Sequence, residues 1–185
     1  AIGLQNPGAH AVVTDILPTL DTAATHYIAN VSGSTVEEYA EVTAIFDASP
    51  VAAIEVNISC PNVKEGGVLF GNSPEMSARV VAACRAQTNK PLIVKLSPNQ
   101  TDIADNARRC IAAGADAFAV INTLSGMRID IHQRKPVLGN RQGGLSGPAI
   151  KPIALLKVHQ VYQVCKAEGI PIIGQGGICT GEDAL

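Results

Sequence analysis

Two hydrophobic rhythms alternate along the chain. Short runs dense in Val, Ile, Ala and Leu are separated by stretches in which apolar positions repeat with a helical period. Residues 27–31, 52–58, 91–96, 117–122 and 170–174 read as strands, β-branched and bounded by turn residues. Between them the pattern predicts helices. One starts at a Ser34-x-x-Glu37 capping box and runs to about Ala48. A second starts at Ser73-Pro74-Glu75, with Pro at the first helical position, and runs to about Gln87. A third opens at Thr101-Asp102 and ends near Gly114, and a fourth has Pro152 in its first turn and runs to about Ala167. Thr180 begins another. Residues 126–147 break the rhythm with a long glycine-rich stretch, in which residues 128–131 are expected to form a small hairpin.

Strands alternating with helices imply an α/β fold with parallel pairing and right-handed crossovers. Two architectures compete on this pattern, an open doubly wound sheet and a (β/α)8 barrel. Five βα units do not close a barrel, which takes about 250 residues. No linker or domain boundary stands out. The first residue is Ala1, and residues 181–185 read as a helix start that is then cut. Both ends are therefore expected to be cuts through a longer chain.

Composition narrows the classes. The 185 residues carry a net charge of −2, are 46% hydrophobic and 3% aromatic, and include no Trp. That apolar fraction excludes a disordered chain. The near-neutral charge and scarce aromatics argue against nucleic-acid binding. No uncharged apolar run of about 18 residues marks a membrane span, and no signal peptide is visible. The five cysteines, Cys60, Cys84, Cys110, Cys165 and Cys179, are odd in number and form no C-x-x-C pair. Structural zinc is therefore not expected, and no metal site is assigned. Cys84, Cys110 and Cys165 fall in apolar helical patterns and read as small packing hydrophobes. A reduced, cytoplasmic setting fits these cysteines best.

Candidate chemistry gathers where the strands end. The ends carry Asn30, Asn57, Lys95, Asn122 and the run Gly174-Gln175-Gly176-Gly177. In parallel α/β folds the carboxyl ends of the strands share one face, where ligands bind. Any single Asn there is also an ordinary turn residue. Lys95 is different, because a lysine inside an apolar strand needs a counter-charge or a ligand. Cys60, in the loop Asn57-Ile58-Ser59-Cys60-Pro61-Asn62, places a thiol just after a strand, suited to act as nucleophile or base. The glycines after residue 173 precede a helix start and suit a phosphate, but a dinucleotide fingerprint fails because its third glycine falls at Cys179. Residues 143–147 form a second glycine loop before a helix. His10, His26, His132 and His159 show no ligand spacing, and Lys64-Glu65 and Arg134-Lys135 read as solvated loop charges.

Taken together, residues 1–8, 57–62, 94–99, 121–123, 143–152 and 173–178 resemble the dihydroorotate dehydrogenases, in order and over nearly the whole chain. The Cys-Pro-Asn loop is the most specific of these strings, and the overall wording resembles the catalytic subunit of the NAD-linked, heteromeric class 1B branch. The resemblance implies a TIM barrel binding flavin mononucleotide (FMN), with residues 1–185 an incomplete catalytic domain that is inactive alone. It implies oxidation of dihydroorotate to orotate in pyrimidine synthesis, with electrons passing on to NAD. Cys60 matches the catalytic base, a position the membrane-bound branch fills with Ser. Asn30, Asn57, Lys95, Ile121 and Gly147 match flavin contacts, and Gly176 and Gly177 match the phosphate-binding turn. Ile2, Gly3, Leu4, Asn57, Asn62, Asn122 and Thr123 match substrate contacts. A partner electron-transfer subunit carrying FAD and a [2Fe-2S] cluster, in a heterotetramer of two catalytic and two electron-transfer chains, is implied as well. The alternatives are the fumarate-linked class 1A branch, which shares Cys-Pro-Asn, a dihydropyrimidine dehydrogenase-like barrel, which has His after Cys-Pro, and a non-catalytic flavin- or phosphate-binding module.

Overall fold

The computed structural model describes residues 5–59, 64–65 and 68–185. Strands and helices alternate as the hydrophobic pattern predicts: β1 (Ile28–Val31), α1 (Val36–Asp47), β2 (Ala53–Asn57), α2 (Pro74–Arg85), β3 (Leu92–Leu96), α3 (Ile103–Ala112), β4 (Ala117–Val120), α4 (Lys151–Cys165), β5 (Ile172–Gly174) and the short α5 (Gly181–Ala184). Ser73 and Asp102 cap α2 and α3 as expected, accepting from the N–H groups of Met76 and Asp105. The cap of α1 sits one residue later than expected. Thr35, with extended backbone, accepts from Glu38 N–H, while the Glu38 carboxylate reaches back to Ser34 N–H. With Ser34, Thr35, Glu37 and Glu38 adjacent, the motif fits in two frames, and the backbone of Thr35 selects the second.

The five strands form one parallel sheet in strictly sequential order, β1-β2-β3-β4-β5. Asn30 lies opposite Glu55, Asn57 opposite Lys95, Lys95 opposite Ala119, and Gly174 opposite Val120. A doubly wound sheet reverses its order at a switch point so that helices cover both faces. Here the order never reverses. Right-handed crossovers then place every helix on the same side, and α1–α2, α2–α3 and α3–α4 pack in succession. This is the geometry of a barrel arc.

Period-2 alternation divides each strand between the two faces. Ile54 and Val56 of β2, Leu92, Val94 and Leu96 of β3, and Phe118 and Val120 of β4 pack against Val80, Cys84, Ala107, Cys110, Val161 and Cys165 from the helices. The opposite face carries a small-residue cluster of Ala53, Ile93, Ala117 and Ala119, together with Glu55, Asn57 and Lys95. The amino ends of the strands are tied by charge. Arg85 pairs with Asp116 at 2.8 Å, Asp116 accepts from Leu92 N–H, and Lys90 donates to the carbonyls of Ser49 and Val51.

The glycine-rich excursion is a two-rung ribbon. Residues Leu124–Gly126 pair antiparallel with Gly143–Leu145, and a hairpin forms within it over a longer span than residues 128–131, with Ile129–Asp130 against Lys135–Pro136, so that Lys135 lies in a strand and not in the loop. Among the described residues no helix is long and apolar enough to cross a membrane.

Phe118 is fully buried on the helix-facing side of β4. Phe118→Ala is expected to lower stability by about 3–5 kcal/mol, the usual cost of emptying an aromatic core position. Chemical denaturation reads this as a lower midpoint at unchanged slope, and a loss under 1 kcal/mol would contradict the packing described.

Candidate active site

Because the strands are parallel and sequential, their carboxyl ends share one rim. Asn57, at the end of β2, is buried. Its carbonyl accepts from the Tyr39 hydroxyl of α1 at 2.8 Å, and its side-chain oxygen accepts from Asn122 Nδ2 and from Ser59 N–H, both at 3.2 Å. Its register neighbour Lys95 stands with Nζ 3.7 Å from Glu55 Oε1, and the Lys95 carbonyl accepts from the Ser59 hydroxyl at 2.8 Å. Asn30, at the end of β1, donates from Nδ2 to the same Glu55 oxygen. Asn30, Asn57, Lys95 and Asn122 thus come together through direct bonds and strand register.

A second group forms around glycine. Ile121 N–H donates to the Gln175 carbonyl and Gln175 N–H donates to the Val120 carbonyl, so pairing of β4 and β5 continues one residue past Gly174. The chain then turns through Gly176 and Gly177 at φ +120° and +77°. A Cβ on Gly177 would lie 2.9 Å from the Gly147 carbonyl and 2.9 Å from Lys151 N, so only glycine lets these two loops close over the start of α4. A Cβ on Gly176 would stand 3.6 Å from the Ile121 side chain. Ile121 therefore bridges the glycine group and its chain neighbour Asn122.

Thr123 N–H donates to the Asn122 side chain at 2.8 Å. Asn99 holds this segment in place, donating to the Thr123 carbonyl at 3.0 Å and accepting from Ser125 N–H at 2.8 Å. The described residues expected at the site therefore fall at one rim. Ile2, Gly3, Leu4, Cys60 and Asn62 lie outside the described residues.

Sequence reasoning missed Glu55, Tyr39 and Asn99. The signal for Glu55 was present: it is a charged residue in an apolar strand, two positions before Asn57 and so on the same face, the argument already applied to Lys95. Tyr39 and Asn99 act through contacts distant in sequence, and no local pattern marks them.

Other chemistry is set aside by its surroundings. Burial pushes the thiols of Cys84 and Cys110 up to about 11 and about 12 and raises that of Cys165. All three pack in the core as inert groups. A cavity of about 570 Å³ opens beside β1, lined largely by apolar residues such as Leu17, Leu20, Val42 and Phe46 and reaching the rim at Asn30, Val31 and Ser32. Its lining is mostly apolar, with Gln5, Asn6, Asn30 and Ser32 among it, and Asn57, Lys95 and Asn122 lie outside it.

Comparison with known proteins accounts for this arrangement. Residues 1–185 match the dihydroorotate dehydrogenase family over their whole length. The chain belongs to this family. Proteins described as dihydroorotate dehydrogenase B (NAD(+)), catalytic subunit, are similar throughout: those of Trichlorobacter lovleyi and Pelobacter propionicus are 58% and 56% identical over 186 residues, and that of Alkaliphilus oremlandii 53% over 185. Each alignment takes in 100% of the chain and 60% of the relative. The dihydroorotate dehydrogenase fold is a TIM barrel, and the sequential five-stranded sheet is an arc of it.

The turn after Gly177 is braced against α4. The Lys151 ammonium beside Asp183 holds its carboxyl well below the usual carboxylate range, helped by the N–H groups of Cys179 and Thr180. The same pairing raises Lys151. A carboxylate depressed on folding adds stability that is fully present above its unfolded value and is lost only as pH falls through the lower folded one. Asp183 is therefore expected to stay ionised to well below the pH at which an ordinary aspartate takes up its proton. A carboxyl-carbon NMR titration checks this, and a midpoint at the ordinary value would mean that the brace does not form in solution.

Proposed function

We propose that residues 1–185 form the central part of an FMN-binding catalytic domain that oxidises dihydroorotate to orotate, in the catalytic subunit of an NAD-linked dihydroorotate dehydrogenase. What supports the reading is the convergence of Asn57, Lys95 and Asn122 toward the ends of consecutive strands, in a chain of this family whose sequence carries Cys60 three positions after Asn57.

The residues at the rim fit a flavin phosphate. Asn30, Asn57 and Lys95 present amides and one cation along the inner face, and amide side chains suit a flat ring with alternating donors and acceptors. Gly176 and Gly177 bring backbone close against the start of a helix, where a Cβ would run into Ala154 and Lys151 at 2.8 and 2.9 Å, and Gly147 turns there at φ +91°. Backbone N–H groups and the helix end favour a phosphate at such a place. Ile121 supplies an apolar wall between the two groups. Bound there, FMN would supply the acceptor for hydride leaving C6 of the substrate.

The chain's own residues do the rest. Cys60, as thiolate, takes the proton from C5. Asn57, Asn62, Asn122 and Thr123, with the Ile2–Leu4 segment, hold the planar substrate. Lys95 holds positive charge where the ring gains negative charge. Tyr39 and Asn99 keep Asn57 and Thr123 in register, since small misplacements of such groups are costly. Electron transfer onward to NAD would run through a partner subunit carrying FAD and a [2Fe-2S] cluster, in a cytoplasmic heterotetramer. The relatives' description as a catalytic subunit favours that reading over the fumarate-linked one.

The full-length protein is expected to purify yellow and to bleach when dihydroorotate is added without air. A colourless protein, or one whose flavin never bleaches, would sink the reading. Cys60→Ser should slow that bleaching by orders of magnitude at neutral pH in stopped-flow measurements, because a thiol ionises near neutral pH to supply the base and a serine hydroxyl supplies almost none. Unchanged kinetics would remove Cys60 from the chemistry. Gly177→Ala is expected to weaken FMN binding by about tenfold, because a Cβ there meets the Gly147 carbonyl and Lys151 N at 2.9 Å and pushes the turn out of place. Fluorescence titration of the flavin-free protein measures it.

A further inference from the structure

Glu55 sits one layer below the strand ends, on the inner face of the sheet. One of its oxygens serves two strands, accepting from Asn30 Nδ2 on β1 and facing Lys95 Nζ on β3 at 3.7 Å. Its side chain is 12% exposed and that of Lys95 21%. The other ion pairs among the described residues, Arg85–Asp116, Arg109–Glu75, Arg109–Asp105 and Lys151–Asp183, each have a partner at least 45% exposed. The pair at the rim is therefore the one shielded from water on both sides, where charge acts at greatest strength.

A shielded lysine alone would favour negative charge in whatever lies against it. A carboxylate at 3.7 Å offsets much of that influence. The same carboxylate fixes the direction of a long, flexible side chain that would otherwise sample several rotamers. Glu55 does not reach the strand ends, and no step of the proposed chemistry uses it.

We infer that Glu55 is a positioning residue that sets, through Lys95, how much positive charge reaches the flavin ring, and thereby tunes the reduction potential of bound FMN. This rests on the flavin reading above. Glu55→Gln keeps the size of the side chain and an oxygen for Asn30 while removing the charge. With Lys95 no longer offset, the reduced, negatively charged ring is favoured and the potential moves upward.

The test is the midpoint potential of FMN in the full-length subunit, read by equilibration with a reference dye. Glu55→Gln is expected to raise the ratio of reduced to oxidised FMN about tenfold at a fixed ambient potential, a shift of about +30 mV for a two-electron couple. Glu55→Asp, which keeps the charge but draws it back, should shift the potential in the same direction by less. Lys95→Met should shift it the other way. An unchanged or lowered potential in Glu55→Gln, with FMN bound, overturns the proposal and leaves the flavin reading standing. If the Gln variant does not fold, the sign of the Asp shift decides alone. A wild-type protein that holds no flavin removes the flavin reading, and this proposal with it.

Discussion

Each strand pairs in parallel with the next strand in sequence, and the rest of the structure depends on that constraint. Sequential parallel pairing sends every connection back over the same face. That face becomes the helix-covered core. The other becomes an inner surface, free to carry small residues and charge. The same pairing aligns all the carboxyl ends, so residues 30, 57, 95, 122 and 176 meet although they are spread over most of the chain.

The two ends of the sheet use charge differently. At the amino ends, Arg85, Lys90 and Asp116 bind backbone carbonyls and N–H groups between strands and act as fasteners. Toward the carboxyl ends, Asn122 donates to Asn57, while Glu55 one layer below accepts from Asn30 and faces Lys95, leaving amide groups along the inner face. This separation of stability from chemistry is characteristic of parallel α/β barrels, where the two ends of the strands take different duties. It also explains why the apolar cavity beside β1 is not the centre of chemistry: its lining is mostly hydrophobic, and the polar side chains converge on the strand ends.

Much of this was legible in the sequence because it is written locally. Ser73 before Pro74, and Asp102 three residues before the N–H it caps, are short-range signals. The strands were legible from β-branched runs, and Lys95 from the cost of a charge in such a run. Where a local signal admitted two frames, as at the start of α1, the residues could not choose. The ribbon over residues 124–145 was only half legible. Its inner hairpin has a local turn, but its outer rung joins residues about twenty apart, and glycine-rich strands carry little register information.

The sequence by itself determined the alternation of strands and helices, the residues at the strand ends, and, through the order of its motifs, the family. These depend on short-range periodicity and on residue types that few chemistries share. The strand-helix pattern alone left a doubly wound sheet and a barrel arc open; the family resemblance pointed to the barrel, and the tertiary structure displays it, because strand order is a matter of which distant segments exchange hydrogen bonds. It also brought in Glu55, Tyr39 and Asn99. Each matters only through a partner at least eighteen residues away, and a contact of that range exists only once the chain has closed around it.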